Sequence, residues 1–136
     1  MNNGRRKRSE ELNALEKNTL SFFDAVTDPL FISEVTLGEM YFGAAKSQQK
    51  TKNYASVETL RTSFNVLPVN LDLWKLFGET KADLQNQGKV IDDFDLLIAC
   101  AALHHNLILV TNDKAFDMLK PSLKTVNWSA GATALP

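Results

Sequence analysis

Apolar residues along this chain follow two alternating patterns, the spacing of an amphipathic helix and the short continuous run of a buried strand. The first helical pattern follows Ser9, whose side chain suits a helix cap, and "TDP" ends it because proline disfavours helix in the residue before it. Helical spacing predicts helices over 9–26, 36–46, 52–64, 72–88 and 93–105. Short apolar runs predict strands at 30–35, 65–69, 107–111 and 124–128.

This alternation of strands with helices indicates an α/β layered fold with a mostly parallel sheet. The chain has 136 residues, enough for one domain with a substantial core. It contains no internal repeat, no low-complexity stretch and no linker rich in proline, glycine or serine. We therefore expect a single domain over 1–136, with residues 1–9 as a basic flexible start and 129–136 as a loose C-terminal tail.

Composition is that of an ordinary globular protein, with 44% hydrophobic residues, 23% charged residues and a net charge of −1. Contact with nucleic acid would therefore depend on a local basic patch. The basic run at 5–8 offers one such patch, although a solvated tail ahead of a helix is the simpler explanation. Lys89 and Lys114 are further candidates for contact with phosphate groups.

Cys100 is the sole cysteine and lies inside an apolar run, where we expect a small buried side chain. A single cysteine excludes an internal disulfide, and without a Cys/His spacing pattern it argues against a zinc site. No apolar stretch approaches the roughly 20 residues that span a bilayer. The basic start is not followed by the apolar segment of a secretory signal, so we expect a cytoplasmic protein without membrane contact.

The stretch "VIDDFDLLIACAAL" crowds Asp92, Asp93 and Asp95 against an apolar helix. A helix N-terminus carries partial positive charge and unpaired N–H groups, so acids there are favourable without any ligand. These aspartates therefore either start the helix or hold something positive.

Two further acids have equally simple explanations when each is taken alone. Thr36 and Glu39 have the spacing of a capping box, in which the glutamate side chain reaches back to the helix start. Asp113 lies in "TND", a sequence typical of turns.

The shared placement of the acids points to a site. Glu39 follows the strand predicted at 30–35, and Asp113 follows the strand predicted at 107–111. Asp95 lies near the start of the helix that leads into the latter strand. In an open parallel sheet these positions fall at one rim, where ligands gather. Clustered carboxylates without a Cys/His set favour Mg²⁺ or Mn²⁺, which can polarise a phosphodiester and activate water.

Longer segments resemble a known family. "FISEVTLGEMYFGAAKS", "GKVIDDFDLLIACAALHHNLILVTND" and "LKTVNW" together resemble the PIN-domain ribonucleases, specifically toxins of the VapC type. The resemblance covers residues 31–128. It implies a three-layer α/β/α sandwich with a mostly parallel sheet, and cleavage of RNA by Mg²⁺ or Mn²⁺ held by acidic residues. It also implies a cognate antitoxin and a homodimer.

The resemblance assigns roles to particular residues. It implies that Glu39, Asp95 and Asp113 are the metal-binding catalytic acids. The supporting positions that it implies are Asp93, Thr111 and Ser33. A plain strand-end threonine and a local helix cap are the alternatives for the last two.

One family feature has no counterpart in this sequence. The family opens with a strand that ends in Asp-Thr-Asn, whereas this chain begins "MNNGRRKRSEELN". An opening lost from this sequence, a degenerate copy, or another segment in that role would each explain the difference. The sequence therefore predicts a metal-dependent endoribonuclease of toxin–antitoxin type that hydrolyses RNA phosphodiesters. The alternatives are a catalytically degenerate module that binds an antitoxin or an intact toxin copy, and a plain structural domain.

Overall fold

The computed structural model describes residues 29–127, in which strands and helices alternate. The elements in chain order are β1 (Phe31–Ser33), α1 (Glu34–Lys46), α2 (Lys50–Ser63), β2 (Asn65–Leu67), α3 (Leu71–Asn86), α4 (Asp93–His104), β3 (Leu109–Val110), a 3₁₀ helix (Lys114–Leu119) and β4 (Thr125–Val126). The helix predicted over 9–26, the basic start and the C-terminal tail lie outside the described residues.

The strands pair in parallel, as the sequence predicts. β1 pairs with β2, with Phe31 opposite Asn65 and Ser33 opposite Leu67. β3 pairs with β4, with Leu109 opposite Thr125. Within residues 29–127 these are two separate two-stranded ladders. β1, β2 and β3 are shorter than predicted, because the flanking apolar residues lie in loops or in the first turn of α1. The predicted end of the last strand, at residue 128, lies outside the described residues.

Helix α4 lies at the centre of the described core because its two sides are both buried. Leu96 and Cys100, each 0% exposed, pack with Leu73 and Leu84 of α3. The other side is lined by small residues that approach the 3₁₀ helix closely. This second cluster consists of Ala99, Ala102, Phe116 and Leu123. The placement of Cys100 confirms the prediction of a buried, small apolar side chain.

Helix α1 packs against α2 through a narrower apolar stripe, which consists of Leu37, Ala44 and Val57. The start of α1 corrects one prediction. The helix begins at Glu34, not at Thr36, because Ser33 is its cap and the Ser33 Oγ accepts a hydrogen bond from the Val35 N–H at 3.1 Å. Thr36 is therefore inside the helix, and the alternative explanation of Glu39 as part of a capping box is wrong.

The other helix bounds follow the prediction more closely. Helix α3 begins one residue before Asp72, with Asn70 as cap and the Leu73 N–H donating to the Asn70 Oδ1 at 3.0 Å. It ends shortly before Gly88, whose φ of 71° is the left-handed conformation that glycine adopts most easily. In the part of the chain that the structure describes, no helix is both long enough and apolar enough to span a membrane.

Candidate active site

Three predicted site acids lie near the starts of helical elements of the fold. Glu39 lies in the second turn of α1, directly after β1, and Asp95 lies in the first turn of α4. Asp113 follows β3 and caps the 3₁₀ helix. Helix α1 contacts α4, which places the Glu39 and Asp95 positions on neighbouring elements.

The Glu39 and Asp95 carboxyl groups both have a raised pKa, and neighbouring acids contribute to each shift. Partial burial raises the pKa of Glu39, and the charges of Asp95 and Asp92 raise it further. Partial burial likewise raises the pKa of Asp95, and the charges of Asp92 and Asp113 add to that effect. Like charges that raise each other's pKa destabilise the ionised site unless a cation is present.

The ion pairs of the described residues do not involve Glu39 or Asp95. Within residues 29–127 the ion pairs are Lys81–Asp93 at 2.9 Å, Lys120–Asp117 at 2.9 Å and Arg61–Glu58 at 2.6 Å. Neither the Glu39 nor the Asp95 carboxylate has a partner among those described residues. The site is therefore a set of interacting acids without an internal counter-ion from that part of the chain.

The three aspartates of "DDFD" make different contacts in the structure. Asp92 is the N-cap of α4: its Oδ1 accepts hydrogen bonds from the Phe94 N–H at 3.0 Å and the Asp95 N–H at 3.4 Å. Asp93 is directed towards α3, where it pairs with Lys81. The structure thus brings Asp95 together with the other acids but holds Asp93 in a different contact. Sequence reasoning left open whether Asp92 starts the helix or holds something positive, and it missed the effect of the Asp92 charge on the pKa of Glu39 and Asp95.

The turn after β3 is fixed by its own polar side chains. The Thr111 Oγ1 accepts a hydrogen bond from the Asp113 N–H at 3.1 Å. The Asp113 Oδ1 in turn accepts from the Ala115 N–H at 2.9 Å. Thr111 therefore shapes the turn that presents Asp113, and Ser33 has the capping role described for α1. The exposed Lys114 follows Asp113 directly, whereas the exposed Lys89 lies between α3 and α4.

The fit to a divalent cation rests on donor chemistry. Among residues 29–127, no three His, Cys, Asp or Glu side chains lie close enough together to hold one metal ion jointly. Glu39 and Asp95 nevertheless provide carboxylate oxygens, the ligands that hard cations prefer. Mg²⁺ usually keeps several waters and takes only one or two protein carboxylates, so an open pair of acids fits it.

Comparison with known proteins defines the class of this fold. The sequence profile of the PIN domain matches residues 3–120. The chain therefore belongs to the PIN domain family, and the resemblance stated from its motifs is confirmed.

Individual relatives agree with this assignment. The chain is 34% identical over 110 residues to Ribonuclease VapC2 of Haemophilus influenzae, which covers 80% of this chain and 83% of that protein. It is 36% identical over 98 residues to the tRNA(fMet)-specific endonuclease VapC of Shigella flexneri, covering 72% of this chain and 74% of that protein.

The structure of VapBC-1 from nontypeable Haemophilus influenzae superposes with a TM-score of 0.70 at 32% identity, covering 76% of this chain and 78% of that chain. This likeness confirms the predicted α/β fold of PIN type.

Proposed function

We propose that this chain is a metal-dependent endoribonuclease of toxin–antitoxin type that hydrolyses RNA phosphodiesters and works in the cytoplasm. The observation that carries the proposal is that partial burial and neighbouring aspartates raise the pKa of both Glu39 and Asp95, while neither carboxylate has a counter-ion from the described chain. Similarity to ribonucleases named VapC supports the reaction class. Mg²⁺ or Mn²⁺ would provide the missing positive charge.

Glu39, Asp95 and Asp113 are the proposed catalytic residues. Glu39 and Asp95 would hold the ion, and Asp113 would add its charge from the turn after β3. A divalent ion bound there would polarise the scissile phosphodiester and make water a better nucleophile at neutral pH. The chain itself fixes the direction of these acids, since the Asp92 cap sets the first turn of α4 and Thr111 sets the Asp113 turn.

The remaining residues have supporting places in this proposal. Ser33 fixes the start of the helix that carries Glu39. Asp93 ties α4 to α3 through Lys81, which would steady Asp95 from the opposite side of the same helix turn. Lys114 is exposed beside Asp113 and is available to phosphate groups. The proposed partners are an RNA substrate, a cognate antitoxin and a second copy of the chain in a homodimer.

The test compares RNA cleavage by the full chain with cleavage by Asp95→Asn, with Mg²⁺, with Mn²⁺ and with a chelator. We expect Asp95→Asn and the chelator each to reduce the rate by about 100-fold or more, because bound metal ions contribute several kcal/mol to such reactions. Asp93→Asn is the matched control, since it removes a neighbouring charge on the same helix turn and should leave more than about a tenth of the rate. Equal activity of Asp95→Asn and the unsubstituted chain would contradict the proposal.

A second candidate is a catalytically degenerate PIN-like module that binds an antitoxin or an intact toxin copy. Its support is that no three acidic side chains in the described part of the chain lie close enough to hold an ion jointly. This candidate predicts that the unsubstituted chain and Asp95→Asn are equally inert towards RNA, while both bind an antitoxin with the same affinity. The cleavage comparison therefore separates the two candidates.

A further inference from the structure

An exposed aromatic ring and a lysine continue the row that Glu39 begins on α1. Phe42 and Lys46 lie three and seven residues after Glu39, which places all three on one side of the helix. At 1.5 Å per residue, Phe42 lies about 4.5 Å and Lys46 about 10.5 Å further along the helix axis. The row therefore runs from the candidate site to the C-terminal end of α1.

The Phe42 ring is free of the protein core. Its side chain is 69% exposed, whereas the buried stripe of α1, Leu37 and Ala44, lies on the opposite side of the helix. The Lys46 Nζ is 6.0 Å from the centre of the Phe42 ring. Burial of this ring within the described fold therefore does not account for an aromatic residue at this position.

The surroundings of Phe42 do not form an apolar patch. One helix turn away on either side lie Gly38, Glu39, Ala45 and Lys46, which are small or charged. Nothing lies within 4 Å of the position that a side chain at Gly38 would occupy, so the space beside the ring is open. A flat ligand can stack there, and no large apolar side chain lies one helix turn from the ring to extend it into an apolar patch.

The chain beyond Phe42 is basic. Between Glu39 and Glu58 the sequence contains Lys46, Lys50 and Lys52 and no acidic residue, although the net charge of the chain is −1. Residues 47–52 line a shallow, open depression of about 700 Å³. Positive charge follows the exposed ring on the side away from the acids, which is complementary to a polyanion with flat bases.

We propose that Phe42 and Lys46 position the RNA strand of the proposed reaction, with the Phe42 ring stacked on a base and the Lys46 ammonium bound to a phosphate. Lys50 and Lys52 extend the same path. Because a base can stack on a protein ring only when it is free of its own helix, the strand is unpaired where it crosses α1. This inference rests on the proposed function only in taking the bound strand as the substrate.

Binding is measured separately from cleavage, with Asp95→Asn as the background and fluorescence anisotropy of a short fluorescein-labelled oligouridine as the readout. Phe42→Leu keeps an apolar side chain but removes the ring, and should weaken binding by roughly 5- to 100-fold. Phe42→Trp keeps a ring and should bind at least as tightly as the Asp95→Asn parent. An RNA duplex of the same length should be insensitive to Phe42→Leu. The control is Phe31→Leu, an exposed ring at the amino end of β1, away from the acidic rim.

The phosphate contact has its own readout. Lys46→Gln should reduce the slope of log affinity against log salt concentration by about 0.7, the value for one phosphate contact on a single strand. Lys124→Gln, at the amino end of β4, should leave the slope unchanged. In the unsubstituted background, Phe42→Leu should raise KM for RNA with little effect on kcat.

The outcomes separate this inference from the proposed function. If the chain cleaves RNA but Phe42→Leu and Phe42→Trp bind the oligouridine alike, the inference is wrong and the proposed function stands. If the chain does not cleave RNA but its RNA binding depends on the Phe42 ring and on salt as described, the inference stands and the proposed ribonuclease activity is wrong. If Phe42→Leu instead weakens the binding of a protein partner and leaves RNA binding unchanged, the surface is a protein-docking surface and the inference is overturned.

Discussion

At the scale of single residues, Asp95 carries a charge that the fold disfavours. Partial burial and the charges of Asp92 and Asp113 raise its pKa, and no described cation compensates them. The sequence predicts the place of Asp95 at the start of a helix, because an acidic stretch precedes a continuous apolar run. It does not predict that Asp93 turns towards Lys81, since that contact depends on how α3 packs against α4.

Asp95→Asn should therefore stabilise the metal-free protein at pH 7, by about 1 kcal/mol or less in the free energy of unfolding. The pKa of Asp95 is raised in the folded state, so ionisation costs more in the folded than in the unfolded chain. Below the usual aspartate pKa of about 3.9, Asp95 is protonated in both the folded and the unfolded chain, so the stability advantage of Asp95→Asn vanishes. The advantage develops as the pH rises through the raised pKa of the folded state. Urea unfolding at several pH values measures it. Asp93→Asn, which removes an ion pair, should show no such gain at pH 7, and a less stable Asp95→Asn at pH 7 would contradict the argument.

At the scale of elements, the helices follow the sequence more faithfully than the strands do. The prediction of a helix over 93–105 agrees with α4 because an acidic start and a continuous apolar run mark both of its ends. The start of α1 is misplaced because Ser33 lies inside an apolar run that predicts a strand, and its capping role depends on where the strand stops. Strand ends are set by pairing with distant residues, which local spacing does not contain.

Two substitutions of Asp92, the cap of α4, separate the contribution of its capping hydrogen bonds to stability from the contribution of its charge. Asp92→Ala removes the acceptor for the Phe94 and Asp95 N–H groups and should destabilise the protein by about 1 kcal/mol. Asp92→Ser retains a capping oxygen but removes the charge that raises the pKa of Glu39 and Asp95, so its stability should stay within about 0.5 kcal/mol of the parent. Thermal unfolding at pH 7 compares the two. An equal loss in both variants would show that the cap contributes through charge alone.

At the scale of the whole molecule, α4 connects the candidate site to the core. Its first turn carries Asp95, and its remaining turns separate two buried clusters. The apolar run from Leu96 onward predicts this burial, and the class of fold follows from the alternation of strands and helices. The separation into two ladders does not follow from any local pattern, because it depends on which strands meet in space.

Leu96→Ala should therefore be among the most damaging core substitutions. The side chain is 0% exposed, and its truncation leaves a cavity between α3 and α4, at a cost of about 2–5 kcal/mol. Leu71→Ala is the control, since Leu71 is 85% exposed and should change the stability by no more than about 0.5 kcal/mol. Denaturant midpoints measure both, and a loss under about 1 kcal/mol for Leu96→Ala would contradict the central place of α4.

The buried thiol of Cys100 provides a chemical probe of how often the core opens. It is the sole thiol of the chain and lies 0% exposed between α3 and α4. Burial raises its pKa, which the hydrogen bond with Thr80 partly offsets. A thiol reagent can reach the sulfur only when these helices separate, so the rate of alkylation reports how often the core opens. The speed of that reaction in each variant therefore compares core opening between variants without any added label on the protein.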